Sequence, residues 1–230
     1  MPGNLSDKQR SPFPAARCQA FYPAYLDISG KPCVVVGGGA VAERKARGLL
    51  ACGADITVIS PDLTGGLLRL KNNGSITHHK RQYRRGDLRG AVLVIAATSD
   101  AAVNRQIARH AQCPVTVVDQ PETGSMIIPS VVRRGVVSFA VSTFGASPAA
   151  AKTIRNDLEK RYPKSVGEYI GFIGKLRERS FKTIADRHVR EKLFRELASP
   201  AMIECARTGG YRHAAGLARE IYTKHTRGIV

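Results

Sequence analysis

The residues best placed to do chemistry sit together near the start of the chain. The apolar run Pro32-Cys33-Val34-Val35-Val36 ends in Gly37-Gly38-Gly39 and passes through Ala40, Val41 and Ala42 into the helix-forming Glu43-Arg44-Lys45-Ala46. The spacing is Gly-x-Gly-x-x-Ala. Gly37 and Gly39 let the backbone turn sharply and come close to a ligand, and Ala42 lets the new helix pack against the strand. The unpaired N–H groups and positive dipole end of that helix then face the turn, an arrangement suited to a pyrophosphate. Such a match alone also marks ordinary turns. Here the context is the required one: a strand before, a helix after, and Asp55-Ile56-Thr57-Val58-Ile59 as the strand that closes a βαβ unit.

A dinucleotide on such a sheet runs along the carboxyl ends of the strands, where the loops at 37–42, 60–62, 97–99 and 118–119 converge. The cofactor-binding candidates are therefore Gly37, Gly38, Gly39, Ala40, Val41, Ser60, Pro61, Asp62 and Thr98. The usual ribose-binding acid falls at the end of the second strand; here Asp62 comes two residues late, and it either holds ribose hydroxyls or caps the next helix. No Arg follows directly to hold a 2′-phosphate, which favours NAD over NADP. Asp119 ends a later apolar strand just ahead of Pro121. A carboxylate there is either a turn residue or a proton acceptor near the nicotinamide. Ser142 and Thr143, at the end of another strand, are either hydroxyl donors to a substrate or parts of a helix-entry loop.

Metal chemistry finds no support. His78 and His79 are adjacent, so in a strand they point to opposite faces. His110, His188, His213 and His225 lie in helical stretches without partners at ligand spacing. The five cysteines (18, 33, 52, 113, 205) are scattered and form no C-x-x-C pair, which reads as thiols in a reduced compartment.

The elements that must position these residues follow from periodicity. A helix with Val41, Ala42, Ala46, Leu49 and Leu50 on one face stops at Gly53, and a short helix after Asp62 ends near Asn72-Asn73-Gly74. Ile76 to Lys80 is a poor strand candidate because of its two histidines. Ala91 to Ala97 is continuous and apolar, as a strand covered on both faces should be. Thr98-Ser99-Asp100 offers a cap to a helix carrying Val103, Ile107 and Ala111, and Pro114 to Val118 is the next strand. The fold class predicted is α/β, a doubly wound Rossmann-type parallel sheet. Residues 120–135 read as a Pro- and Gly-punctuated connection, Val136 to Val141 as a strand, and 149–161 as a helix. Helical intervals of apolar residues then run from 163 to the end.

The formal charge is +18, with 36 basic against 18 acidic residues, and it implies an anionic partner. No apolar run is long enough to span a bilayer, and the first twenty residues lack the apolar stretch of a secretory signal. These point to the cytoplasm, with no membrane partner and with 1–20 as a flexible tail.

Three blocks carry a family resemblance: Val36 to Ala46; Val117-Val118-Asp119-Gln120-Pro121 with Ile127-Ile128-Pro129-Ser130; and Ser142-Thr143-Phe144-Gly145-Ala146-Ser147-Pro148. In this order the chain resembles the siroheme synthase amino-terminal module, over residues 20 to 163 and in kind beyond. That family comprises precorrin-2 dehydrogenases, some of them also sirohydrochlorin ferrochelatases. The resemblance implies an NAD-binding domain (21–118), a central dimerisation segment (119–162) and a small all-helical carboxyl-terminal domain (163–230), assembled as a homodimer. It implies that Ala40, Val41, Pro61 and Asp62 lie against NAD, that Asp119 is the essential carboxylate, and that Thr143 stands where some members have a regulatory serine. Met126 replaces a frequent Phe and Thr116 a frequent Asn. The methyltransferase domain of some relatives is not expected.

The chemistry implied is dehydrogenation of the tetrapyrrole precorrin-2, which needs bound NAD and one base; the cofactor carries the hard step. Asp119 is the candidate base. The substrate is a polycarboxylate that a cationic cleft would steer, with Arg133 and Arg134 either its contacts or solvated surface. No motif separates dehydrogenase-only members from bifunctional ones. The alternative is an NAD-sensing regulatory module that binds nucleic acid through its basic surface. Against it, no recognition helix with its turn is evident in 163–230.

Overall fold

The computed structural model describes residues 21–227, so the tail expected over 1–20 lies outside the described residues. Two compact units follow each other, dividing between Ile128 and Pro129.

The first unit is a five-stranded parallel sheet of β1 (Pro32–Val36), β2 (Asp55–Ile59), β3 (Thr77–His79), β4 (Leu93–Ala96) and β5 (Val115–Val117), in the order β3-β2-β1-β4-β5. Three helices, α1 (Ala40–Leu50), α2 (Gly65–Asn72) and α3 (Ala101–His110), cover it. Alternation along the strands sorts the core into two layers. Cys33, Val35, Ile56, Val58, Leu93 and Ile95 pack with Ala42, Ala46 and Leu49 of α1 and Leu67 of α2. Val34, Val36, Ile59, Val94, Ala96 and Val117 face the other way, with Ile107 of α3. Both faces are buried, which is why these strands read as unbroken apolar runs. The strand order reverses between β1 and β4, and the crevice outside their carboxyl ends is the place where open sheets of this kind bind ligands.

β3 corrects the sequence reading of Ile76 to Lys80. A three-residue strand does form there, in parallel register with β2 (Val58 beside His78, Ile59 beside His79). An edge strand has only one neighbour and leaves His79 in solvent, while His78 finds a partner for its ring. The segment 119–128 also packs with this unit, through Met126 and Ile128 on the α1 layer. The compact unit therefore extends ten residues past the 118/119 boundary drawn from the sequence.

The second unit opens with an antiparallel hairpin, β6 (Ser130–Arg134) and β7 (Val137–Val141), turning at Gly135 with φ 59°. The first of these strands lies inside 120–135, read from sequence as a connection. Only Val132 of β6 is buried, so the strand lacks the apolar alternation that would have announced it. Five helices follow: α4 (Pro148–Arg161), α5 (Lys164–Thr183), α6 (Arg187–Leu197), α7 (Pro200–Thr208) and α8 (Gly210–Arg227). Tyr169, Leu176, Leu193, Leu197, Ala206, Ala214 and Ala218 form their core. The fully buried Tyr169 donates its hydroxyl to the Leu197 carbonyl at 2.7 Å, so no polar atom of that ring is stranded.

Candidate cofactor site

The glycine turn is held at the switch point by contacts that leave no room for side chains. Gly37 has φ 125°, and a Cβ there would run into the Ala97 carbonyl at the end of β4. Gly38 would place a Cβ on the Asp62 carbonyl, with the Ser60 hydroxyl 2.7 Å away. Gly39 differs: its φ is −82°, and an added Cβ meets nothing within 4 Å. Thus the first two glycines are required by the chain itself, and the third faces open space just ahead of α1. Gly39 is the N-cap of α1 and offers no side-chain cap, so the first N–H groups of the helix are not closed off by a side chain of their own cap. Ala40 and Val41 are exposed beside it, while Ala42 is fully buried against the sheet. A cradle of this form, narrow on the protein side and open at the helix end, suits a dinucleotide pyrophosphate.

The loop after β2 is tied to the glycine turn at several points. Gly37 N–H donates to the Ile59 carbonyl (2.9 Å) and Thr64 N–H to the Gly38 carbonyl (2.9 Å). Thr64 caps α2, accepting from Leu67 N–H at 3.2 Å, and donates its hydroxyl to the Glu43 carboxylate at 2.5 Å. Thr64, not Asp62, is the cap, which leaves the exposed Asp62 side chain available to a ribose. Glu43 also accepts from Arg47 at 2.8 Å. The Thr64 hydroxyl, with Arg47 second, holds the Glu43 carboxyl below the usual carboxylate range. Glu43 was not singled out from the sequence. The only signal was an acid in the first turn of α1, common in any helix.

The loop after β4 is pinned by another residue that sequence reasoning missed. Asn104, buried on the sheet side of α3, accepts from Thr98 N–H (3.1 Å) and donates to the Thr98 carbonyl (3.0 Å). The Thr98 hydroxyl lies 2.7 Å from Asn104 Oδ1. Asp100 caps α3 by accepting from Ala102 and Val103 N–H. An amide at a position where an amphipathic helix should present an apolar side chain was the clue.

Asp119 lies just past β5, exposed and with φ 66°. Left-handed backbone is uncommon outside glycine, and Asp is among the residues that tolerate it. Among the described residues, its carboxylate has no hydrogen-bond or ion-pair partner. It stands in the same unit as the glycine turn, on the carboxyl edge of the sheet.

The remaining candidates belong to the second unit. In the loop before α4 the Ser142 hydroxyl accepts from Phe144 N–H (3.1 Å), and Phe144 has φ 52°. The Thr143 hydroxyl donates to the Ser147 carbonyl (3.0 Å) and accepts from Ser147 N–H (3.2 Å). Ser147 caps α4. Both candidate hydroxyls therefore shape the helix-entry loop. Arg133 is exposed. Arg134 is half-buried and already engaged, which removes the reading of it as solvated surface. Its guanidinium bonds the Tyr162 carbonyl (3.0 Å), the Glu159 carbonyl (3.2 Å) and the Arg133 carbonyl (3.1 Å), with the Glu159 carboxylate at 3.5 Å. Those contacts fasten β6 to the end of α4.

Among the described residues, no group of three or more His, Cys, Asp or Glu side chains is arranged to hold a metal ion. No described helix is long and apolar enough to cross a membrane.

Residues 24–130 match a family model described as "Putative NAD(P)-binding". A siroheme synthase of Methylobacillus flagellatus is 42% identical over 159 residues, covering 68% of this chain and 34% of the relative. Another, from Nitrosospira multiformis, is 42% identical over 166 residues, covering 69% of this chain and 35% of the relative. The chain spans about a third of the length of these relatives. Among solved structures, "SirC, precorrin-2 dehydrogenase" superposes with a TM-score of 0.75 at 27% identity, covering 90% of this chain and 100% of the other. The reading as a nucleic-acid-binding regulatory module finds no support in these comparisons.

Proposed function

The chain belongs to the siroheme synthase amino-terminal module family, and on that premise we propose that it dehydrogenates precorrin-2 to sirohydrochlorin with NAD. The observation that carries the proposal is the exposed Asp119 carboxylate, which has no hydrogen-bond or ion-pair partner among the described residues and stands on the carboxyl edge of the sheet that also presents the glycine turn.

NAD supplies the hydride acceptor when bound. Gly37, Gly38 and Gly39 with the N-terminus of α1 would hold its pyrophosphate, Ala40 and Val41 would border it, and Ser60, Pro61 and Asp62 would receive the adenosine ribose, with Thr98 at the neighbouring loop. Removing a hydride from the substrate leaves a proton to be taken up. An Asp119 carboxylate oxygen accepts it, unencumbered by a partner that would compete for its lone pairs. Arg133 attracts the substrate's carboxylates, reinforced by the overall charge of +18. In the second unit, Ser142 and Thr143 shape the loop that enters α4. The protein works as a homodimer in the cytoplasm.

The test uses the purified protein with enzymatically generated precorrin-2 and NAD under anaerobic conditions, following NADH and the sirohydrochlorin spectrum. Formation of both in equal amounts is the expected result; their absence overturns the proposal. Ferrous ion added to the same cuvette reports the second family activity, as insertion faster than the protein-free rate.

A further inference from the structure

His78 does not belong to any site described so far, yet its ring reaches the adenosine-side loop. The imidazole Nε2 lies 2.9 Å from the Ser60 carbonyl oxygen. A carbonyl only accepts, so Nε2 carries the hydrogen in this bond. The contact answers a local need. Ser60 N–H continues the ladder to the His79 carbonyl at 3.2 Å, but Pro61 follows and has no N–H, and Arg81 N–H folds back onto the same His79 carbonyl at 2.8 Å. Ser60 is buried, and its carbonyl finds its donor in the His78 side chain. The peptide so oriented is the one that leads into Pro61 and Asp62, and the Asp62 carbonyl is in turn pressed onto Gly38.

We propose that His78 is a positioning residue for the cofactor: by fixing the Ser60 carbonyl it sets the Ser60-Pro61-Asp62 loop for the adenosine ribose. The inference rests on the reading of this sheet edge as the NAD site. It assigns His78 no contact with the nicotinamide or the substrate, so its effect falls on cofactor affinity and not on the reacting atoms.

Calorimetric titration of the full chain with NAD⁺ tests it, using His78→Leu to remove the donor and His78→Gln to restore an amide N–H at a similar reach. His78→Leu is expected to weaken NAD⁺ binding about tenfold, as for a loop that holds the binding orientation only about a tenth of the time. His78→Gln should return most of that loss, and kcat at saturating NAD⁺ should change little in either variant. A purely structural role would not distinguish ligands, so the same titrations are run with the 2′-deoxyadenosine analogue of NAD⁺. There the His78→Leu penalty should shrink, because the ribose hydroxyl that the loop serves is missing. Wild-type affinity in His78→Leu, equal weakness in His78→Gln, or an equal penalty for both ligands would overturn the inference. The titration contains no tetrapyrrole, so failure of the proposed reaction and failure of this inference are read separately.

Discussion

The carbonyl of Asp62 occupies the position that a side chain on Gly38 would need. The pyrophosphate turn and the adenosine-side loop are thus one packed object, joined further by Thr64 N–H on the Gly38 carbonyl. This relationship gives three adjacent glycines different duties, because the space beside Gly39 is open.

The duties separate by mutation. Gly38→Ala must displace backbone, an overpacking cost of about 1–3 kcal/mol, and should lower the melting temperature by several degrees with or without NAD. Gly39→Ala should melt like the wild type but bind NAD about tenfold more weakly, roughly 1.4 kcal/mol, because its methyl group enters ligand space. Thermal melts and NAD titrations on the two variants check this; equal behaviour of both would refute the assignment of Gly39 to the cofactor.

Asp119 combines a left-handed backbone with an exposed carboxylate, and two substitutions separate the two properties. Asn tolerates the same φ, so Asp119→Asn should keep its melting temperature and NAD affinity while losing about 10²–10⁴ in turnover, the range for a general base. Asp119→Ala should lose the same activity and also about 1 kcal/mol of stability, since Ala tolerates that backbone poorly. Retained turnover in Asp119→Asn would remove the base from the mechanism.

Arg133 and Arg134 adjoin in sequence and differ in employment. Arg134→Met strips donors from the carbonyls at the end of α4 and should destabilise the second unit by about 1–3 kcal/mol. Arg133→Gln should raise KM for the polycarboxylate substrate, with the gap from wild type narrowing as salt screens the charge. A KM effect that does not depend on ionic strength would argue against Arg133 as an electrostatic contact.

The contrast between these arginines shows where sequence reasoning stopped. The sheet was legible because its strands are buried on both faces and its glycine turn has a fixed spacing: Val34 to Val36, Ile56 to Ile59 and Leu93 to Ala96 leave little choice of element. β6 was not, since one buried residue in five carries no periodic signal. Thr64, not Asp62, caps α2, which removes the capping alternative that the sequence left open for Asp62. The partners of His78 and Glu43 were not legible for one shared reason. Each acts on a backbone or hydroxyl group brought near by the fold, 18 residues away for His78 and 21 for Glu43, and such partnerships leave no mark in local spacing.

Glu43 offers a prediction in pH. Its folded carboxyl is held below the ordinary value of 4.5 by the Thr64 hydroxyl and Arg47. A group whose folded pKa is depressed contributes stability above its unfolded pKa and loses it as pH falls through the folded value. Wild type should therefore melt higher than Glu43→Gln at neutral pH, and the difference should shrink on acidification below 4.5. The same carboxylate fills the space above Gly66, at the start of α2. Its protonation loosens the cap of α2 and, through Thr64, the Gly38 carbonyl, so NAD affinity should fall over the same acidic window. Melting curves of both proteins across that range, paired with NAD titrations, provide the check. Because Gln fills the same space above Gly66, a melting difference that is independent of pH would rule out the charge-linked account.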